Sequence, residues 1–244
     1  MTSDHTALSL VLFPGTSSRN SYLLKSVQCC CVYDLAFKPD GSELLVAADN
    51  KVLIYDGTDG TLLQSLKGHK DLVYAVAFSH TGERFASGSA DRSVIIWTEQ
   101  HEGTLKYVHN DAIQCLAFSP VTNLLLSCAC TDYGFWTQQE KNVTKQRVST
   151  RILCCAWSTD GNLYALGMFD GNVLLKNYKT TTEIAKIERP SGDPIWALKF
   201  GAGRSDAHDK PRRRASVYED GYLKQKPCDA MYKIVRPVSG ENKK

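Results

Sequence analysis

The chain has 244 residues, of which 43% are hydrophobic and 23% are charged. This balance is typical of a folded globular protein and excludes a chain that is disordered throughout. The formal net charge is +3, but residues 201–244 carry eleven Lys/Arg against six Asp/Glu, so the rest of the chain is slightly acidic. No apolar run approaches the ~18 residues that a membrane-spanning helix needs. We therefore expect a soluble, intracellular protein without direct membrane insertion.

Residues 1–31 are predicted to form an N-terminal extension. The apolar run Ala7–Phe13 is short and follows Asp4, where a signal peptide would carry positive charge. It is more typical of an outer strand. Pro14 and Gly15 then begin a segment with the composition of a loop.

The most informative stretch runs from Gly68 to Trp97. It contains three short runs with strand character, and turn residues separate them. A Gly-His pair opens the stretch, and a tryptophan ends its third strand. This order is typical of a WD-repeat blade, which has four antiparallel strands in roughly 40–45 residues.

The same pattern recurs along residues 32–200. The aromatic residue that ends each first strand repeats at a nearly constant interval: Phe37, Phe78, Phe118, Trp157 and Phe200. The interval is about 40 residues, as expected for propeller blades. The sequence therefore predicts an all-β fold, an incomplete WD40 β-propeller of about four blades plus one strand that begins at Pro194. Such an array leaves open sheet edges, so we expect either a fragment of a longer propeller or a chain that borrows a partner's blades.

Residues 201–244 are predicted to form a basic, disordered tail, because the repeat pattern ends at Phe200 and aliphatic residues become rare. The run Arg212–Arg214 precedes Ser216, which makes Ser216 a possible phosphorylation site for a kinase that prefers basic sequences. An ordinary solvated basic tail is the favoured alternative. Nucleic-acid binding is not expected, because only a few tyrosines accompany these basic residues.

Ser, His and Asp residues within one blade raise the question of a hydrolase. His69, Ser87, Asp91 and Trp97 supply the residue types of a nucleophilic triad. In a WD blade, however, the same positions form a chain of hydrogen bonds that ties the strands together. We therefore predict a structural tetrad and no catalytic residues.

Metal and cofactor sites are also not predicted. The nine cysteines include no CxxC pair, so the spacing of a zinc site is missing, and most of them fall in or near predicted strands as small apolar residues. Neither a GxGxxG nor a Walker-type phosphate loop occurs. A small-molecule substrate is accordingly not expected. Exposed loops at 110–111, 168–170 and 188–192 are candidate rims for protein partners.

The amino-acid sequence of the second to fourth blades is more specific than a general WD-repeat pattern. The phrases RFASGSADRSVIIWT, HNDAIQC, LYALGMFDG and KIERPSGDPIWAL closely resemble the N-terminal propeller of the intraflagellar transport protein 122 family. The resemblance covers about Val32 to Leu198. It implies a non-catalytic scaffold subunit of intraflagellar transport complex A, which supports retrograde ciliary transport and cilium assembly.

The same resemblance implies other subunits of that complex as partners, and the cilium, the ciliary base and the cytoplasm as locations. A generic WD-repeat adaptor, such as a ubiquitin-ligase substrate receptor or a signalling scaffold, is the alternative function.

Overall fold

The structure is a computed structural model of the chain, and it describes residues 31–137 and 145–200, together with the backbone of 216–219 and 222–225. The predicted N-terminal extension, 1–31, lies outside these residues except for Cys31. The described residues form strands, turns and loops without helices, and the predicted all-β class is confirmed. Among them, no helix is long and apolar enough to cross a membrane.

Sixteen strands form four antiparallel sheets, each with its strands in sequence order. The first sheet contains β1 (Val32–Phe37), β2 (Glu43–Ala48), β3 (Lys51–Asp56) and β4 (Leu62–Lys67). The second contains β5 (Val73–Phe78), β6 (Arg84–Ser89), β7 (Ser93–Thr98) and β8 (Gly103–Val108). The third contains β9 (Ile113–Phe118), β10 (Leu125–Ala129), β11 (Asp132–Trp136) and β12 (Lys145–Arg147). The fourth contains β13 (Ile152–Trp157), β14 (Leu163–Met168), β15 (Asn172–Asn177) and β16 (Glu183–Glu188).

These sheets have the topology of WD40 propeller blades, and we call them the first to fourth blades. The fold is the incomplete WD40 β-propeller that the repeats predict. The first three blades form one compact unit, and the fourth blade belongs to a second unit.

Inside the first unit, neighbouring blades pack face to face, and both sides of β6, the second strand of the second blade, are buried. In β6, Phe85 packs toward the first blade, whereas the next residue, Ala86, packs toward the third. This alternation follows from the twofold side-chain period of a strand. Because both faces are covered, β6 is almost entirely apolar or small.

Polar contacts also join neighbouring blades of the first unit. The Asp34 carboxylate in β1 accepts a hydrogen bond of 3.0 Å from the Val76 backbone amide in β5. At the opposite end of the sheets, Lys38 forms an ion pair with Glu99 at 3.0 Å. The inner strands β1, β5 and β9 therefore lie side by side.

The predicted fifth inner strand differs from the expectation. In the second unit, residues 192–198 form no regular strand, and Lys199 forms an isolated bridge. The Ile195 amide still donates to the Met168 carbonyl at 3.1 Å, and Ile195 and Phe200 are buried against the fourth blade. The segment thus starts like an inner strand, but a ladder needs a paired second strand, and the following residues lack the repeat.

Two short strands lie in the C-terminal segment. β17 (Ser216–Glu219) and β18 (Tyr222–Gln225) pair as an antiparallel ribbon. These eight residues depart from the disorder predicted for 201–244. The remainder of that segment lies outside the described residues, so its disorder stays a prediction.

Candidate functional site

The second blade brings the four predicted tetrad residues together. His69 lies in the loop before β5, Ser87 in the middle of β6, Asp91 in the turn between β6 and β7, and Trp97 near the end of β7. The Ser87 hydroxyl oxygen lies 2.7 Å from His69 Nε2 and 2.9 Å from Trp97 Nε1. On the other side of the ring, His69 Nδ1 lies 3.3 Å from the Asp91 carboxylate. The residues therefore form one connected polar chain.

The direction of each hydrogen bond follows from what each group can donate. The Trp97 indole N–H can only donate, so the Ser87 oxygen accepts from it. The Ser87 hydroxyl then donates its own hydrogen to His69 Nε2, and His69 Nδ1–H donates to the Asp91 carboxylate and to the Ser93 hydroxyl oxygen, which lies 3.1 Å away. This order requires a neutral imidazole with its proton on Nδ1.

Burial and hydrogen bonding set the charges of the two titratable members. Burial lowers the pKa of His69, and the Asp91 carboxylate offsets this only in part. Burial by itself would raise the pKa of Asp91. Hydrogen bonds from the Ser93 hydroxyl and from the Lys70 and Ser93 amides outweigh it and hold the pKa of Asp91 well below its usual range. A neutral histidine beside an ionised aspartate results.

The third blade holds a second copy of this arrangement, which the sequence analysis missed. His109 Nε2 lies 2.8 Å from the Ser127 hydroxyl oxygen, and His109 Nδ1 lies 2.9 Å from Asp132. Burial lowers the pKa of His109 as well. The signal was present in the chain, because His69 and Ser87 are separated by 18 residues, and so are His109 and Ser127.

The fourth member differs between the two copies. Trp136 has the same register as Trp97, two residues beyond the partner of the central serine. Its indole nitrogen is nevertheless buried without a hydrogen-bond partner among the described residues. The Ser127 hydroxyl lies instead 3.3 Å from the Gly134 carbonyl, in addition to its contact with His109. The chain of hydrogen bonds in the third blade therefore does not extend to the tryptophan.

The first and fourth blades lack this serine. In the strand register, Val46 in β2 and Leu166 in β14 occupy the position of Ser87. Val46 and Leu166 are fully buried. Apolar packing thus replaces the polar chain at the centre of these two sheets.

The order Ser–His–Asp matches that of a hydrolytic triad, but its setting does not favour nucleophilic attack. A nucleophilic serine must be open to substrate beside a group that stabilises an oxyanion. Ser87 and Ser127 each have 0% exposure. In the second blade, the Ser87 oxygen also already accepts the Trp97 N–H. What this arrangement can do is satisfy buried polar groups and hold neighbouring strands in register.

The remaining sequence-predicted positions are spread over the surface. Asn110 is exposed and Asp111 is half-buried in the loop before β9. Phe169, in the turn after β14, is 51% exposed. Residues 188–192 form a mostly exposed turn after β16. Ser216 begins β17, but its side chain lies outside what the structure describes, so its phosphorylation stays a prediction.

Comparisons with a family model and with known proteins point to the same family. Residues 31–210 match the family described as the IFT122 first beta-propeller. The chain is 55% identical over 180 residues to the Intraflagellar transport protein 122 homolog of Xenopus tropicalis, a match that covers 73% of this chain and 15% of that protein. The homolog from Danio rerio is 54% identical over 181 residues, with the same coverage of both chains.

A more distant similarity joins the chain to a protein with another name. Pre-mRNA-processing factor 19 of Bos taurus is 25% identical over 174 residues, which are 68% of this chain and 34% of that protein. The chain thus spans about 15% of the length of the first two relatives, which are more than twice as similar to it.

Proposed function

Because this chain belongs to the IFT122 first beta-propeller family, we propose that it is a non-catalytic protein-interaction scaffold of intraflagellar transport complex A. In this role it contributes to retrograde ciliary transport and cilium assembly. The observation that carries the proposal is the identity of 55% with an intraflagellar transport homolog over the blade region. The proposed locations are the cilium, the ciliary base and the cytoplasm, and the proposed partners are other subunits of the complex.

The absence of catalysis is part of this proposal. Ser87 and Ser127 are fully buried, and their hydroxyl groups are engaged in hydrogen bonds with His69 and His109. We assign these residues to the stability of the blades. A fluorophosphonate probe added to the folded protein should leave Ser87 unlabelled. Labelling of Ser87 would indicate a reactive serine and would contradict the non-catalytic role.

Affinity purification of the tagged chain from ciliated cells tests the scaffold role. We expect enrichment of complex A subunits over cells that express the tag alone. A variant with Trp97→Arg is a matched control, because a buried charge in β7 unfolds the second blade and should abolish the enrichment. Clean absence of those subunits from the wild-type sample would contradict the proposal.

A generic adaptor is the second candidate, and the distant similarity to a pre-mRNA-processing protein supports it, since one propeller scaffold serves unrelated assemblies. The same purification separates the two functions. Ubiquitin-ligase components or signalling proteins in place of complex A subunits would favour the adaptor.

A further inference from the structure

Each inner strand of the first unit carries one extra residue at the same place. Val32 pairs with Ala48, and Asp34 pairs with Ala47, so Tyr33 has no partner of its own on β2. The same shift leaves out Tyr74 in β5 and Gln114 in β9. A β-bulge of this kind frees a residue from the ladder and turns its side chain in a new direction. We call Tyr33, Tyr74 and Gln114 the bulge row.

Two members of the bulge row form an accessible aromatic pair. Because β1 and β5 are neighbours, the rings of Tyr33 and Tyr74 meet edge to face, with centroids 4.9 Å apart and planes at 66°. Tyr33 is 42% exposed, and Tyr74 is half-buried. Aromatic faces carry partial negative charge and attract ammonium and guanidinium groups.

A carboxylate lies beside this pair. The Asp49 carbonyl accepts a hydrogen bond of 2.6 Å from the Val73 amide, which places Asp49 next to the residue that precedes Tyr74. The Asp49 charge also acts on the Tyr33 phenol. Asp49 therefore makes the surroundings of the pair attractive to cations.

Basic residues lie in the same loops, since Lys51 begins β3 two residues after Asp49 and Lys70 directly precedes Asp71. The influence of Asp49 is nevertheless felt at Tyr33 itself. Burial raises the pKa of the Tyr33 phenol, and the Cys31 thiol raises it further. Tyr74 and Asp49 add to the rise, as expected where the local potential is negative.

We propose that the bulge row with Asp49 is a docking surface for a basic peptide segment of a partner protein, with a Lys or Arg side chain seated against the Tyr33–Tyr74 pair. The charge complementarity selects this occupant, since an acidic segment would meet the Asp49 carboxylate. The surface deepens the proposed scaffold role and rests on it, because it names the chemistry by which one partner is held.

The binding of a labelled peptide to the whole chain tests this surface. The probe is a fluorescein-labelled Gly-Ser-Arg-Gly-Arg-Ser-Gly peptide, and its control carries citrulline, a neutral analogue of arginine, at both positions. We expect the arginine peptide to bind and the citrulline peptide to bind at least about fivefold more weakly, which corresponds to the loss of one cation–π contact. Equal binding of the two peptides would overturn the proposal.

Variants locate the binding on the chain. Tyr74→Leu should weaken binding about fivefold, whereas Tyr33→Phe, which keeps the aromatic face, should leave it unchanged. Asp49→Asn should also weaken binding, and asparagine tolerates the positive φ of 49° at this position. Leu63→Ala, which removes a 50% exposed side chain from β4, is the matched control and should have no effect. Binding that survives both Tyr74→Leu and Asp49→Asn would overturn the surface.

The peptide measurement tests the docking surface, and the purification from ciliated cells tests the assignment to the complex, so a negative result in one does not decide the other. A chain that enriches complex A subunits but does not distinguish the two peptides would overturn the docking surface alone. A chain that binds the arginine peptide through Tyr74 but enriches no such subunits would overturn the assignment to the complex and leave the surface in place.

Discussion

The second and third blades are built from the same repeat but differ in how completely their central polar groups are paired. In the second blade, the chain from Asp91 through His69 and Ser87 ends on the Trp97 indole. In the third blade, the corresponding indole of Trp136 is buried and has no partner among the described residues. Identical serine–histidine geometry therefore does not guarantee a complete tetrad.

The residue before each histidine also differs between the two blades. A Cβ added at Gly68 would lie only 3.2 Å from the Trp97 ring and 3.0 Å from Ile95, so the indole packs tightly against this glycine. The third blade has Val108 at that position, and its β10–β11 hairpin is one residue shorter between Ser127 and Trp136. Both differences lie outside the residues of the tetrad.

Removing the central serine should produce the largest difference in destabilisation between the two blades. Ser87→Ala leaves the Trp97 N–H and His69 Nε2 without partners, whereas Ser127→Ala leaves only His109 Nε2. An unpaired buried group costs roughly 1–3 kcal/mol. We expect Ser87→Ala to lower the free energy of unfolding by about 2–4 kcal/mol and Ser127→Ala by about half as much.

Amide hydrogen exchange provides the measurement, because it reports each blade by itself. Exchange in β6 and β7 should accelerate in Ser87→Ala, and exchange in β10 and β11 in Ser127→Ala. Val46→Ala, which truncates the apolar residue at the same register position of the first blade, controls for the loss of side-chain volume. Equal acceleration in the two serine variants would contradict the difference between the blades.

Exchange of tryptophan for phenylalanine should give the next largest contrast. Trp97→Phe removes a hydrogen bond to Ser87, but Trp136→Phe removes an N–H that is already unpaired. Both variants lose similar volume, so the cavity cost is shared. We expect Trp97→Phe to be more destabilising by about 1–2 kcal/mol in chemical denaturation. A larger loss in Trp136→Phe would mean that its indole has a partner after all.

The sequence predicts this architecture well because a propeller repeats. Spacing alone indicated the four-stranded blades, and the four residues of the second-blade tetrad are those that the structure brings together. The third-blade set carries the same 18-residue histidine–serine interval but was missed, because Asp132 lies 23 residues after His109 whereas Asp91 lies 22 residues after His69.

Other features could not be predicted from the pattern. The pairing of the Trp136 indole depends on side-chain packing against neighbouring strands, which periodicity does not encode. The bulge row depends on the register between β1 and β2 and between β5 and β6. Each bulge lies at the second residue of its strand, so too few residues precede it for a change in the hydrophobic alternation to be visible. Sequence reasoning thus finds the frame of the fold but not its local irregularities.

Acidification should weaken both blades in the same way. Burial lowers the pKa of His69 and of His109 below the usual value for histidine, so the unfolded chain binds protons that the folded chain rejects. Their contribution to stability is complete above the unfolded pKa of about 6.5 and is lost as the pH falls below it. The loss cannot exceed about 1.4 kcal/mol per histidine for each pH unit.

Nuclear magnetic resonance of the histidine rings measures this directly. Between pH 8 and about 6.5, the midpoint of an unperturbed histidine, the ring shifts of His69 and His109 should stay constant. A titration midpoint at or above about 6.5 for either buried ring would contradict the neutral state of the polar chains.

The smallest effect should come from the lysine beside each histidine. In the second blade, Lys106 lies 3.7 Å from Asp91 and 3.5 Å from the Gly68 carbonyl, and its charge lowers the pKa of His69. In the third blade, Lys145 donates to the Val108 carbonyl, and its charge lowers the pKa of His109. Because Lys106 is 41% exposed, Lys106→Met should change the free energy of unfolding by no more than about 0.5 kcal/mol at neutral pH. Removing this cation should also let His69 accept a proton more readily, so the loss of stability in acid becomes shallower. Lys145→Met should do the same for the third blade, and a steeper loss in either variant would show that the lysine supports the polar chain instead of opposing protonation of its histidine.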